Sequence, residues 1–261
     1  MNVVTRSVPL TVNRTHMPHR LDQGLGARCR IGIIELSIDQ TSEHEFRRTL
    51  TLPGVDYYVS RIGCAASITP QTLVAMQGDI EHGAALLLPG LRLDVIGFTC
   101  TSGTMVIGEE QVFERIRNAR PGVACTSPIT GALAGLRALG VSKVALLTPY
   151  VEEINRMMKS WLEARGIAVP VMGSFNNPVD DEVARITIEA TRDAAIELAR
   201  SPEVEGILVS CTSLRTLEII ADVERATGKP MVSSNQAQAW HMLRLGKVDD
   251  RLPGLGRLFQ L

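Results

Sequence analysis

The sequence predicts an α/β fold of two pseudo-twofold-related lobes, each a mostly parallel sheet with helices on both faces. Three observations carry that expectation. Short apolar runs alternate with longer stretches whose apolar residues recur every three or four positions, the pattern of buried parallel strands joined through helices. The chain also repeats itself. Asp94-Val-Ile-Gly-Phe-Thr-Cys100-Thr-Ser-Gly-Thr104 is echoed by Glu205-Gly-Ile-Leu-Val-Ser-Cys211-Thr-Ser-Leu-Arg215 at an offset of 111 residues. Two weaker echoes keep the same order, Thr126-Ser-Pro with Ser233-Ser-Asn at 107 and Arg30-Ile-Gly-Ile-Ile with Lys143-Val-Ala-Leu-Leu at 113. A period this long marks a duplicated domain rather than a solenoid. Finally, 261 residues suffice for two lobes of about 110–130 residues, each with its own core.

Taken in order, the chain opens with an arm over 1–29 that holds Arg6, Arg14, Arg20 and Arg28 against one acid, Asp22. It lacks the apolar stretch of a secretory signal and reads as a surface arm. Strands are expected at Ile31–Leu36, Tyr57–Val59 and Leu93–Thr99, with helical patterns over Thr69–Leu88 and Glu109–Arg117. The second half gives strands at Val144–Thr148, Gly206–Ser210 and Pro230–Ser233, and helical patterns over Val151–Arg165 and Asp180–Arg200. The expected division is 30–126 for lobe 1, 127–235 for lobe 2, and 236–261 returning to lobe 1. Equivalent loops then meet in a cleft at the carboxyl ends of the strands.

Composition removes several function classes. Lys+Arg 27 against Asp+Glu 28 leaves a net charge of −1, no basic field for nucleic acid or an anionic membrane. Aromatics at 4% argue against stacking platforms, and no apolar run reaches the roughly 18 residues of a membrane helix. Five cysteines, none as CxxC, fit neither a zinc site nor a disulfide framework, and point to free thiols in a reducing cytoplasm. Gly24-Leu-Gly26 follows no strand, and Cys29 stands where a third glycine would be, so it is not a dinucleotide fingerprint. The expectation is a cytoplasmic protein that works on a small molecule without nucleotide, metal or other cofactor. A homo-oligomer stays open.

Cys100 and Cys211 each sit where an apolar strand ends and a Thr-Ser turn begins. A helix starting there favours a thiolate and can hold a carboxylate oxygen. Thr101, Ser102, Thr212 and Ser213 add hydroxyl donors or N-caps. Two thiols at duplicated strand ends converge on one cleft, as catalysts or as a redox dithiol. Cys29, Cys64 and Cys125 read instead as small buried hydrophobes. Asp39, just past the first strand, is a helix cap or a ligand. Tyr150, in the equivalent loop of the second half, packs or orients a substrate through its hydroxyl. Arg215, four residues after Cys211, lowers the thiol pKa, binds an anion, or is a solvated arginine. Asn176–Asp181 is a turn and helix start, and His241 reads as structural.

These residues resemble the Asp/Glu racemase superfamily, within it the branch of maleate cis–trans isomerases and arylmalonate decarboxylases. The resemblance runs from about Arg30 to Phe259. It rests most specifically on the two Cys-Thr-Ser segments, Leu147-Thr-Pro-Tyr150 and Ser233-Ser-Asn-Gln-Ala-Gln-Ala-Trp-His241. Ile33-Ile-Glu-Leu-Ser-Ile-Asp-Gln-Thr and Ser-Asn-Gln-Ala look most like the ectoine-utilisation proteins of racemase type. The resemblance implies Cys100 and Cys211 as catalytic thiols, and a racemase or isomerase of a small carboxylate or amino-acid derivative. It implies Asp39, Tyr150 and the Asp180–Asp181 region, with Asp181 the one chosen, as substrate ligands; Thr101, Ser102, Thr212, Ser213, Arg215 and Asn235 join them as candidate ligands. Maleate isomerisation, decarboxylation through Cys211 alone, and non-catalytic binding are the alternatives. Where the isomerases tend to have Asn, this chain has Asp39, which implies a substrate with a positive charge.

Overall fold

The computed structural model describes residues 16–65 and 67–261; Arg6 and Arg14 of the expected arm lie outside them. Cys29 opens the first strand and is fully buried.

Lobe 1 is built from β1 (Cys29–Leu36), α1 (Ser42–Thr49), β2 (Val55–Ile62), α2 (Pro70–Ala75), α3 (Gln77–Leu86), β3 (Val95–Thr99), α4 (Thr101–Ile107), α5 (Glu109–Ala119) and β4 (Ala124–Thr126). There follow α6 (Pro128–Ala138), β5 (Lys143–Thr148), α7 (Glu152–Glu163), β6 (Ala168–Ser174), α8 (Asp180–Ala184) and α9 (Ile188–Ala199). The chain closes with β7 (Gly206–Val209), α10 (Ile220–Thr227), β8 (Met231–Ser233), α11 (Ser234–Leu245) and a 3₁₀ turn over Arg257–Gln260. The sheets run β2-β1-β3-β4 and β6-β5-β7-β8, with every pairing parallel. Strand for strand, the second sheet repeats the first, and the sequence echoes fall on β1/β5, β3/β7 and β4/β8. The fold is thus the two-lobed α/β duplication that the sequence predicts.

Two strands escape the sequence patterns for physical reasons. β4 has three residues, too few for a period. β6 is an edge strand, largely exposed, with Pro170 beside a shift in register. The helical pattern over Thr69–Leu88 breaks at Met76, and that over Asp180–Arg200 breaks before Thr187, whose hydroxyl accepts the Ala190 amide.

The lobes join through α6 and α11, which cross closely and reach both sheets. α11 is buried on nearly every face, polar residues included. Gly131 makes the crossing possible: a Cβ there would lie 2.6 Å from the Ala237 carbonyl oxygen. We expect Gly131→Ala to cost about 2 kcal/mol in urea denaturation; wild-type stability would show that the helices can part freely. α11 packs on β3 and β4 of the first sheet and on β8 of the second.

Candidate active site

The two Cys-Thr-Ser segments end equivalent strands but continue differently. After β3, Cys100 is the N-cap of α4, and its Sγ accepts the Gly103 amide at 3.2 Å. After β7, no helix follows Cys211; the chain turns through Thr212–Leu217 and α10 begins only at Ile220. A helix that can favour a thiolate therefore starts at Cys100 and not at Cys211.

What holds the second turn is a side chain from the other lobe. Glu45 on α1 is buried, and its carboxylate accepts the amides of Thr216 (2.7 Å) and Leu217 (2.8 Å) and the side-chain amide of Asn235 (2.9 Å). Asn235 also donates to the Thr212 carbonyl (2.8 Å), and the Thr41 hydroxyl donates to the Ser213 carbonyl (2.9 Å). Buried backbone groups need partners, and here lobe 1 supplies them to the turn that carries Cys211.

Between the strand ends lies a narrow cleft with a free volume of about 20 Å³. Cys100, Cys211, Tyr150, Asp39, Thr101, Ser102, Thr212 and Ser213 all line it, as does an apolar wall of Leu36, Ile38, Ile68 and Leu73. Every cysteine of the chain is free. Asp39 both caps and lines: its carboxylate accepts the amides of Thr41 and Ser42, each at 2.8 Å, and the Ser42 hydroxyl at 2.6 Å.

Three expected ligands lie elsewhere. Asp181 points to solvent and pairs with Arg185 at 2.8 Å, because successive residues of a helix face different ways. Asp180 lines the cleft in its place, accepting the Ser213 hydroxyl at 2.8 Å. Arg215 is not on the cleft wall; without a helix after Cys211 it points away and donates to the Ile186 carbonyl at 2.9 Å. Asn235 lies behind the wall, on the Glu45 network. Sequence reasoning missed Glu45, and it set aside Cys64, which lines the cleft.

Burial dominates the electrostatics. It pushes Cys211 up to about 12, helped by Asp180 and opposed by the Tyr150 hydroxyl and the Ser213 amide. It also pushes Cys100 well up, against the Gly103 amide and the Ser102 hydroxyl. The expected lowering by a helix end or by Arg215 does not prevail: desolvation of a buried thiolate outweighs a few donors. Tyr150 is likewise held neutral by burial. Asp180 rises to about 6 through burial and the nearby Asp39 and Asp181 charges, against the Ser213 hydroxyl. No Lys, Arg or His lines the cleft among the described residues. Arg61, outside the lining, pairs with Glu35 (2.9 Å) and Glu43 (2.7 Å) and donates to the Asp39 carbonyl (2.9 Å). Among the described residues, no group of three or more His, Cys, Asp or Glu is placed to hold a metal ion, and no helix is long and apolar enough to cross a membrane.

Comparison with known proteins agrees with this architecture. The family model described as arylmalonate decarboxylase matches residues 57–259. The arylmalonate decarboxylase of Bordetella bronchiseptica is 30% identical over 210 residues, 79% of this chain and 87% of that protein. The maleate isomerase of Nocardia farcinica is 29% identical over 241 residues, covering 88% and 95%. A solved structure of the Nocardia farcinica maleate cis–trans isomerase is a cysteine-to-serine mutant with a covalently bound succinylcysteine intermediate. It superposes with a TM-score of 0.81 at 26% identity, covering 89% of this chain and 98% of that one. The chain belongs to the arylmalonate decarboxylase family, in the maleate isomerase and arylmalonate decarboxylase branch of the Asp/Glu racemase-like superfamily, and is an enzyme of the isomerase type.

Proposed function

We propose that the chain is a cofactor-independent isomerase of a small carboxylate, with Cys100 and Cys211 as its catalytic pair. One observation carries the reading: two free thiols at equivalent strand ends line a single cleft. A decarboxylase needs only the second thiol and a binder needs neither, so the retained pair favours isomerisation. Both thiols accept a backbone amide, from Gly103 at Cys100 and from Ser213 at Cys211, and burial raises both. Two differences remain: only Cys100 caps a helix, and only Cys211 faces the carboxylate of Asp180. They support Cys100 as the nucleophile or base and Cys211 as the acid.

On an unsaturated carboxylate, the Cys100 thiolate adds to the double bond and the electron pair moves toward the carboxylate. The resulting single bond rotates, and loss of the thiolate restores the double bond in the other geometry. Hydroxyls of Thr101, Ser102 and Thr212 and the neutral Tyr150 stabilise the charge that develops. The succinylcysteine of the Nocardia farcinica enzyme supports this route here.

The acids of the cleft favour a second reading, racemisation of an amino-acid derivative. Asp39 and Asp180 face the cleft with no cation among its lining residues. A dicarboxylate about 4 Å from one such charge meets about 4 kcal/mol of repulsion at an effective dielectric near 20; an ammonium group reverses the sign. An acylated diamino acid of the kind handled in ectoine breakdown fits this pattern. One thiolate then takes the proton from Cα while the other thiol returns one on the opposite face.

Asp180 makes the choice testable. A neighbouring ammonium stabilises its ionised form, so binding of N-acetylated diaminobutyrate should tighten as pH rises through about 6, by at most about tenfold per pH unit. Maleate binding should weaken over the same window, and Asp180→Asn should flatten both trends. Turnover of the two compounds, with solvent deuterium at Cα, separates the reactions, since racemisation must exchange that proton. Efficient maleate turnover, unchanged in Asp39→Asn and Asp180→Asn, would end the cationic-substrate reading and leave the isomerase reading intact.

A further inference from the structure

Three residues of the cleft wall, Leu36, Ile38 and Asp39, come from the end of β1 and the turn that leads to α1. The Asp39 amide closes that turn on the Leu36 carbonyl at 3.0 Å. A side chain from the neighbouring strand spans it. Arg61 stands opposite Glu35 in the parallel pairing of β1 and β2, which puts its guanidinium where the two strands end. Its Nη1 donates to the carbonyls of Leu36 (3.3 Å), Ser37 (3.5 Å) and Asp39 (2.9 Å). The other edge of the guanidinium is held by α1: Nε and Nη2 donate to one oxygen of the Glu43 carboxylate, at 3.2 and 2.7 Å. Nη2 also lies 2.9 Å from the carboxylate of Glu35, which is wholly buried. Glu35 and Glu43 thus fix the guanidinium from both sides of the turn, and the guanidinium fixes the turn at three carbonyls. A planar fork suits this task; a lysine has one nitrogen and cannot hold both edges at once. Beyond the turn, the Thr41 hydroxyl carries the restraint to the Ser213 carbonyl in the other lobe.

We infer that Arg61 is a positioning residue of the substrate site: from outside the cleft lining, it sets the place and direction of Asp39 and Ile38 within it. Without Arg61, three carbonyls lose a donor and Glu35 is left buried with no cation. The turn then relaxes and the Asp39 carboxylate moves with it, and a misplacement of about 1 Å is enough to cost up to about a hundredfold. The inference rests on the cleft as the substrate site of the proposed function, and not on the roles given to the two thiols.

The test is Arg61→Ala, alone and with Glu35→Gln so that no buried acid is stranded. It is read by crystal structure and by KM and kcat for maleate and N-acetylated diaminobutyrate. We expect the turn over 37–40 to be displaced, and KM to rise about tenfold or more while kcat falls less. The Arg61 side chain is 38% exposed, so the hole opens to solvent. Guanidinium chloride, far below denaturing concentration, should restore KM; ammonium chloride at the same ionic strength should not. Arg61→Lys should share the defect. Arg47→Ala takes another cation from Glu43 (2.9 Å) without reaching the turn, and should keep the wild-type KM. An unmoved turn with wild-type KM would overturn the inference. So would a defect that guanidinium leaves in place or ammonium repairs equally, or an equal defect in Arg47→Ala. If Cys100→Ser keeps wild-type turnover while the Arg61 results are as expected, the two-thiol reading falls and the role of Arg61 stands.

Discussion

Replacement of either thiol, Cys100→Ser or Cys211→Ser, is expected to lower turnover by about 10³-fold or more, within the range of a lost general acid, base or nucleophile. The double variant should be hardly worse than either single one, because groups that act as a unit do not contribute additively. Serine keeps the shape of each site, but its hydroxyl is a far poorer nucleophile and far less acidic. Cys29→Ser and Cys125→Ser should keep turnover and lose only about 1–2 kcal/mol of stability, since both are buried away from the cleft. Independent losses that multiply in the double variant would mean that the two thiols serve separate events.

The second large effect is expected at Glu45. Its carboxylate is buried and partners two backbone amides and the Asn235 side chain. Burial, helped by the Glu218 charge, pushes its pKa up, and those donors oppose the shift. Glu45→Ala leaves the donors orphaned inside the protein at about 1–3 kcal/mol each, not fully additive. We expect about 4 kcal/mol lost in denaturant titration, a fall in melting temperature of roughly 10 °C, and a large loss of turnover as the Cys211 turn loosens. Glu45→Gln retains an acceptor oxygen and should recover most of the stability. Wild-type stability in Glu45→Ala would show that the turn holds itself.

The duplication and both strand-end thiols were legible because a continuous apolar strand and the Cys-Thr-Ser that ends it are contiguous in sequence. Contacts between distant segments were not. Nothing near Glu45 marks it as the partner of a turn some 170 residues away, and it reads as one more acid in the first turn of a polar helix. α11 was legible only in part, as a helix around Trp240–Leu243: buried on nearly all sides, it shows no polar face to give its full length a period. Cys64 follows a strand of mixed exposure with no echo in the second half, so composition alone makes it a small hydrophobe. The one-residue shift from Asp181 to Asp180 depends on where α8 begins, and helix boundaries are poorly fixed by pattern. Arg215 was placed by assuming a helical turn after Cys211, and the chain makes an irregular turn there instead.

The most direct test of a shared cleft needs no substrate. The Cys64→Ser chain is alkylated with iodoacetamide at alkaline pH, and each molecule is scored by mass and peptide mapping for label on Cys100 and Cys211. With both sulfurs opening onto one narrow cleft of about 20 Å³ free volume, the first carbamidomethyl group should exclude the second. Labelling should stop at one of the two per molecule as turnover disappears. Molecules labelled on both, at rates that do not depend on each other, would contradict the account.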